Sequence, residues 1–294
     1  MIIDIKINFL EVIKMAITLT VGNYKGGVGK TKNNILNAYE LAKKGYKTLV
    51  VDLDPQANAT TVLLRTKKLH SDEVFSFDKT LMTAIKENNI SNIETEIMPN
   101  LFLLPSYIDF ANYSTFLDLT YGLVEEENPN YDTITTKKIN HFKELLEPLK
   151  QKYDYIFIDV PPTKSYITDS AVLASDYVLI VLQTQELSLD GAIEYLNDLQ
   201  KLANNFNGSF EIVGVLPVLM DGNASLDNFV LENATQIFGE ENIFNTKIPN
   251  MARLKRFDNT GITEYDRHDK KVIDLYDTVS NELLERINYF EGVK

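Results

Sequence analysis

Residues 22–34 read GNYKGGVGKTKNN, with Lys25 and Lys30 bracketing a run of glycines. The seven residues ITLTVGN at 17–23 have the character of a buried strand, and 30–44 reads as a helix that stops at Gly45. A glycine-rich turn between a buried strand and a helix is a phosphate cradle. Gly26, Gly27 and Gly29 allow positive φ and close backbone approach, so successive N–H groups can face phosphate oxygens. The helix N-terminus adds its dipole. The strict loop pattern needs glycine six positions before its lysine, and Tyr24 stands there, so the context holds although the strict pattern fails. Lys30 is placed to neutralise the β and γ phosphates of a nucleotide, and the Thr31 hydroxyl to ligate Mg²⁺. A phosphate loop needs one lysine, so Lys25 requires another task.

Outward from this loop, short apolar runs alternate with helical patterns. Further strands are expected at 47–54, 100–106, 153–162, 176–184 and 210–219. Helices are expected around 110–121, 138–151, 189–202 and 226–238, and the polar stretch 124–138 reads as a surface excursion. Apolar strands separated by helices predict an α/β fold, a mostly parallel twisted sheet with helices on both faces. The economical organisation is a single domain over 16–294, preceded by an N-terminal extension, 1–15.

The chain has 294 residues and a formal charge of −13, from 29 basic and 42 acidic residues. Such a surface repels DNA and anionic lipid, so nucleic-acid contact requires a local basic patch. There is no cysteine, which excludes disulfides and thiolate metal or iron–sulfur sites. The N-terminal sequence lacks a secretory pattern, and there is no apolar run of membrane-spanning length, which points to the cytoplasm.

Asp52 and Asp54 close one predicted strand, and side-chain alternation would send both toward one site at the carboxyl end of the sheet. Either could instead cap the turn that follows. Asp159 ends the apolar run YIFI before Pro161 and Pro162, where a carboxylate holds a Mg²⁺-bound water.

Three motifs in order, KGGVGKT, VVDLDPQAN and YDYIFIDVPP, resemble the ParA/MinD family of deviant Walker A ATPases, from about Ala16 to near the C-terminus. The chain looks most like the plasmid-partition members from Gram-positive bacteria. The resemblance implies that Lys25 reaches across a homodimer interface to the partner's nucleotide and supplies positive charge there. It implies a loop of Gly26, Gly27, Val28, Gly29, Lys30, Thr31 and Lys32 around ATP, Asp54 as the group orienting the attacking water, and Asp52 supporting the Mg²⁺ shell. It places the adenine near Pro217, Val218 and Pro249, in GVLPVLMDG and TKIPNMAR.

Within the family, a membrane-recruited member would end in a basic amphipathic helix. Here Ile273, Tyr276, Val279, Leu283 and Ile287 form one face, but the other carries Asp274, Asp277, Glu282 and Glu285, so the stripe is expected to pack on the sheet. Residues 247–271 hold seven basic and four acidic residues, net +3 in an acidic chain. Lys247, Arg253, Lys255 and Arg256 are accordingly the candidate contacts to nonspecific DNA. The expected activity is ATP hydrolysis in plasmid segregation on the nucleoid, stimulated by a centromere-binding, ParB-like partner. A membrane-associated positioning ATPase and a metabolic phosphoryl-transfer enzyme remain the alternatives.

Overall fold

The computed structural model describes residues 15–71, 78–220 and 224–292, leaving the predicted N-terminal extension almost wholly outside the described residues. In chain order the elements are β1 Ile17–Gly22, α1 Lys30–Lys43, β2 Thr48–Asp52, α2 Asn58–His70, α3 Leu81–Lys86, β3 Thr95–Met98, β4 Leu101–Leu104 and α4 Tyr113–Tyr121. They continue with α5 Tyr131–Lys150, β5 Tyr155–Asp159, α6 Tyr166–Ala174, β6 Tyr177–Gln183, α7 Glu186–Phe206, β7 Glu211–Val218, α8 Ala224–Phe238, α9 Ala252–Thr260 and α10 Arg267–Phe290.

The sheet runs β3-β4-β2-β5-β1-β6-β7. Every pairing is parallel except β3 with β4. The middle strands are buried along almost their whole length because helices cover both faces, and this explains their near-continuous apolar sequence. Alternation sorts each strand between two layers. Val50 and Phe157 enter a core with α1 and α10, while Leu49, Val51, Ile156 and Ile158 enter the opposite core with α3, α5 and α6. Each such side chain contributes roughly 1.5–3 kcal/mol of burial free energy.

The α10 stripe is buried in the first of these cores together with α1 residues and the strands, as its amphipathic pattern requires. The segment 124–138 departs from its reading as an excursion, since α5 begins at Tyr131 and buries Thr135 and Lys138. Lys138, 1% exposed, is tolerated there because its ammonium meets Asp118 at 2.6 Å and lies over the Tyr166 ring.

Candidate active site

β1, β2 and β5 deliver the site's residues at their carboxyl ends. Beyond β1 the chain turns through Gly27 at φ 77° and Gly29 at φ 86°, the latter capping α1 in the left-handed conformation. Gly26 is not in that region; it lies close to Pro162, whose Cγ would be 3.9 Å from a Cβ there. Asn23 anchors the loop. Its amide donates to the Val181 and Ser188 carbonyls at 2.8 and 3.3 Å, and its Oδ1 accepts the Lys25 N–H at 2.7 Å. The Lys30 ammonium folds back over the loop and donates to the carbonyls of Asn23 and Lys25, at 2.9 and 3.1 Å. Burial lowers the Lys30 pKa to about 8, although Asp159 and Asp54 act in the opposite direction.

The register of β2 against β5 sets Asp52 directly beside Asp159, and both are fully buried. Burial and mutual repulsion push the Asp52 carboxyl up; burial is also the main cause that raises Asp159. Asn34 on α1 donates to Asp159 Oδ1 at 2.8 Å, and the Thr31 hydroxyl faces the same carboxylate. Asp159 Oδ2 is buried with no hydrogen-bond partner among the described residues. An orphaned carboxylate oxygen beside a hydroxyl is a donor set that fits Mg²⁺, which takes one or two carboxylates and completes its shell with water and phosphate oxygens. No group of three or more His, Asp or Glu side chains able to hold a metal occurs among the described residues.

Asp52 sits differently from its expected place in the metal shell. Its Oδ2 accepts the Thr60 N–H and hydroxyl, at 2.8 and 2.7 Å, and its Oδ1 accepts the Asp54 N–H at 3.0 Å. It therefore tethers the first turn of α2 and the turn carrying Asp54, with both of its oxygens occupied by protein donors. Asp54 lies past the end of β2, in the turn, so strand alternation does not govern its direction. It is 8% exposed, accepts the Gln56 N–H at 2.9 Å and is near enough to bias Lys30 electrostatically.

Other predicted contacts are placed elsewhere. Lys32 carries its ammonium to Asp258 on α9 rather than into the loop. Val28 and Val218 are buried in the core, so Val218 is a packing residue and not a wall for a base. Pro217 and Pro249 are brought near each other, since the Pro217 carbonyl accepts the Ile248 N–H at 2.9 Å. In the basic segment, Lys247, Lys255 and Arg256 are exposed. Arg253 is not available as the sequence suggested: its side chain is 13% exposed and is held by Asp266 at 2.7 Å and Asp269 at 3.2 Å, at the start of α10. Asn250, Met251, Arg253, Arg256, His268 and Lys271 all border a concavity of about 440 Å³.

A strand–glycine loop–helix unit with a lysine on the loop and a carboxylate at the end of a neighbouring strand defines a P-loop nucleotide-binding protein. The AAA_31 family model, described as an AAA domain, matches residues 16–212. The chromosome-partitioning ATPase Soj of Treponema pallidum is 32% identical over 255 residues, covering 86% of this chain and 91% of that protein. The sporulation initiation inhibitor protein Soj of Bacillus subtilis is 31% identical, covering 88% and 90%. Among solved structures, the Cyanothece McdA(D38A)–ATP complex superimposes with a TM-score of 0.74 at 22% identity, over 92% of this chain and 97% of that one. The chain belongs to this AAA-domain family, as a ParA/MinD-type deviant Walker A ATPase.

Proposed function

We propose that the chain is a Mg²⁺-dependent ATPase of DNA segregation that dimerises around ATP, binds DNA nonspecifically in that state and is stimulated by a centromere-binding, ParB-like protein. The observation that carries the nucleotide chemistry is the buried pair Asp52 and Asp159 in register, with Asp159 Oδ2 unpartnered beside Thr31. Mg²⁺ held at Thr31 and Asp159 would neutralise phosphate charge when bound. Lys30 exchanges two loop carbonyls for phosphate oxygens, and Asp54 holds the attacking water from the turn above. Lys25, whose backbone is fixed by Asn23, directs its ammonium toward the nucleotide of the second subunit. The reading as a segregation ATPase rests on the Soj relatives and on a basic surface at residues 247–271. The membrane alternative loses its anchor because the apolar stripe of α10 lies in the core. No helix among the described residues is long and apolar enough to cross a membrane.

The DNA reading is tested by gel shift on duplexes of unrelated sequence, with and without ATP. Dimerisation sets two basic segments on one object, so linked contacts gain through effective concentration and ATP raises affinity. Lys255→Ala with Arg256→Ala weakens binding uniformly across sequences and lowers the salt slope by about one for each phosphate contact removed. Basal hydrolysis is unchanged. Equal affinity of the parent with and without ATP refutes the switch.

Lys30 also gives ATP binding a pH dependence. The free protein's Lys30 loses its proton near pH 8, whereas phosphate oxygens favour the ammonium and raise its pKa in the complex. Above pH 8, binding must take up a proton, so ATP affinity falls by up to about tenfold per pH unit, while below that pH this group contributes no slope. Calorimetry at pH 9 in buffers of different ionisation enthalpy reads the proton uptake directly. Flat affinity between pH 7.5 and 9.5 contradicts the placement of the ammonium on phosphate.

A further inference from the structure

The loop that begins at Gly22 and the loop that follows Asp159 both end on one carboxylate that no motif contains. Asp198 lies in the middle of α7 and is 5% exposed. Its Oδ2 accepts the hydroxyl of Tyr24, next to Lys25, at 3.0 Å. The same oxygen meets the ammonium of Lys164, five residues past Asp159, at 2.8 Å. Lys201, one turn along α7, touches the other oxygen at 3.1 Å and reaches neither loop. The Tyr24 ring is further fixed edge-on against Tyr195 of α7, with centroids 5.1 Å apart.

Burial disfavours the charged form of Asp198, but hydrogen bonds from Lys164, Lys201 and Tyr24 outweigh it and hold the carboxyl below its ordinary range. It is therefore an anion at neutral pH. A charged acceptor shared by a hydroxyl and an ammonium strengthens both bonds relative to neutral ones. Each loop is tied to α7, and through that one atom each is tied to the other.

We infer that Asp198 is a positioning residue for ATP hydrolysis, coupling the order of the phosphate loop to that of the loop carrying Asp159's successor residues. It touches no reacting atom. Its effect is that the nucleotide meets both loops already in place, and loss of either tie lets both relax. The expected signature is a raised KM for ATP, which a mere loss of folded protein does not produce.

The experiment is a double-substitution cycle in the full chain with Tyr24→Phe and Lys164→Met, reading kcat, KM for Mg-ATP and the melting midpoint. Tyr24→Phe keeps the ring on Tyr195, and Lys164 has a side chain 59% exposed, so both variants fold. Each raises KM about three- to tenfold, and the double variant is no worse than the worse single one, because cutting either tie already separates the loops. Asp198→Asn, which keeps an acceptor for Tyr24 but loses the ammonium, matches Lys164→Met. Lys201→Met, which removes a cation from the same carboxylate without touching a loop, stays within twofold of the parent (roughly the scatter of independent sites). Multiplying effects of Tyr24→Phe and Lys164→Met, or a Lys201→Met variant as impaired as Lys164→Met, overturns the coupling.

Discussion

Lys30→Ala abolishes measurable ATP hydrolysis and leaves the protein folded. The side chain is 7% exposed and its ammonium bridges the Asn23 and Lys25 carbonyls across the loop, where ATP phosphates would replace those carbonyls as partners. A preorganised cation aimed at charge developing in the transition state is worth about 10²–10³ in rate, and its ground-state attraction for the phosphates is lost as well. The fold does not depend on it, because Lys30 lies outside the apolar clusters that hold α1 to the sheet. Its lowered pKa shows that burial works against the charged form, so truncation also removes an unfavourable burial and the melting midpoint moves little. Phosphate release by the purified variant, with circular dichroism as the folding control, decides the matter. Turnover within threefold of the parent removes Lys30 from the site.

The chemistry of the loop was readable because glycine spacing, a preceding apolar run and a following helix have few physical causes. Gly27 and Gly29 adopt the positive φ that their spacing calls for, and Asp159 ends a strand whose apolar run announces it. What could not be read depends on distant residues. Thr60 donates both the backbone N–H and the hydroxyl that occupy Asp52 Oδ2, eight residues away across a turn with no local signature. Asn34 looks like a polar residue on a helix until the packing of α1 against β5 brings it to Asp159. Arg253 counted as one positive charge in a run, but charge counting ignores pairing. Asp266 caps α10 through its bonds to the His268 and Asp269 N–H groups, and that cap is what captures the guanidinium. The capping signal, an aspartate just before an amphipathic stripe, was present in the sequence. The apolar period predicts this helix only from 138, because the first turns of α5 are rich in threonine and lysine; Lys138 is buried there because Asp118 takes its ammonium, a pairing that periodicity does not show.

Asp54→Ala separates binding from chemistry. The carboxylate accepts a single backbone bond, from Gln56 N–H at 2.9 Å, so its loss costs about 0.5–1.5 kcal/mol of local turn stability and no core packing. It also stands close enough to Lys30 and Asp159 to act on both electrostatically. Removing a negative charge from the neighbourhood of bound phosphates cannot weaken their binding by repulsion; it relieves repulsion. ATP affinity is therefore retained or improved, and the proposed ATP-bound dimer accumulates because its hydrolysis is slowed. A positioned group that orients or deprotonates the attacking water contributes about 10²–10⁴ in rate, so the turnover number falls by at least two orders of magnitude with KM no higher than in the parent. Asp54→Asn separates the two tasks of the side chain, since an amide oxygen still accepts the Gln56 N–H while the negative charge is gone. It shows the same catalytic loss as the alanine variant and the parent's melting midpoint. Steady-state and single-turnover hydrolysis read the rate and KM, fluorescence the nucleotide affinity, sizing with ATP the dimer, and thermal melting the fold. A variant that fails to bind ATP makes Asp54 a binding or structural residue, and an Asp54→Asn protein that hydrolyses at the parental rate assigns the water to another group.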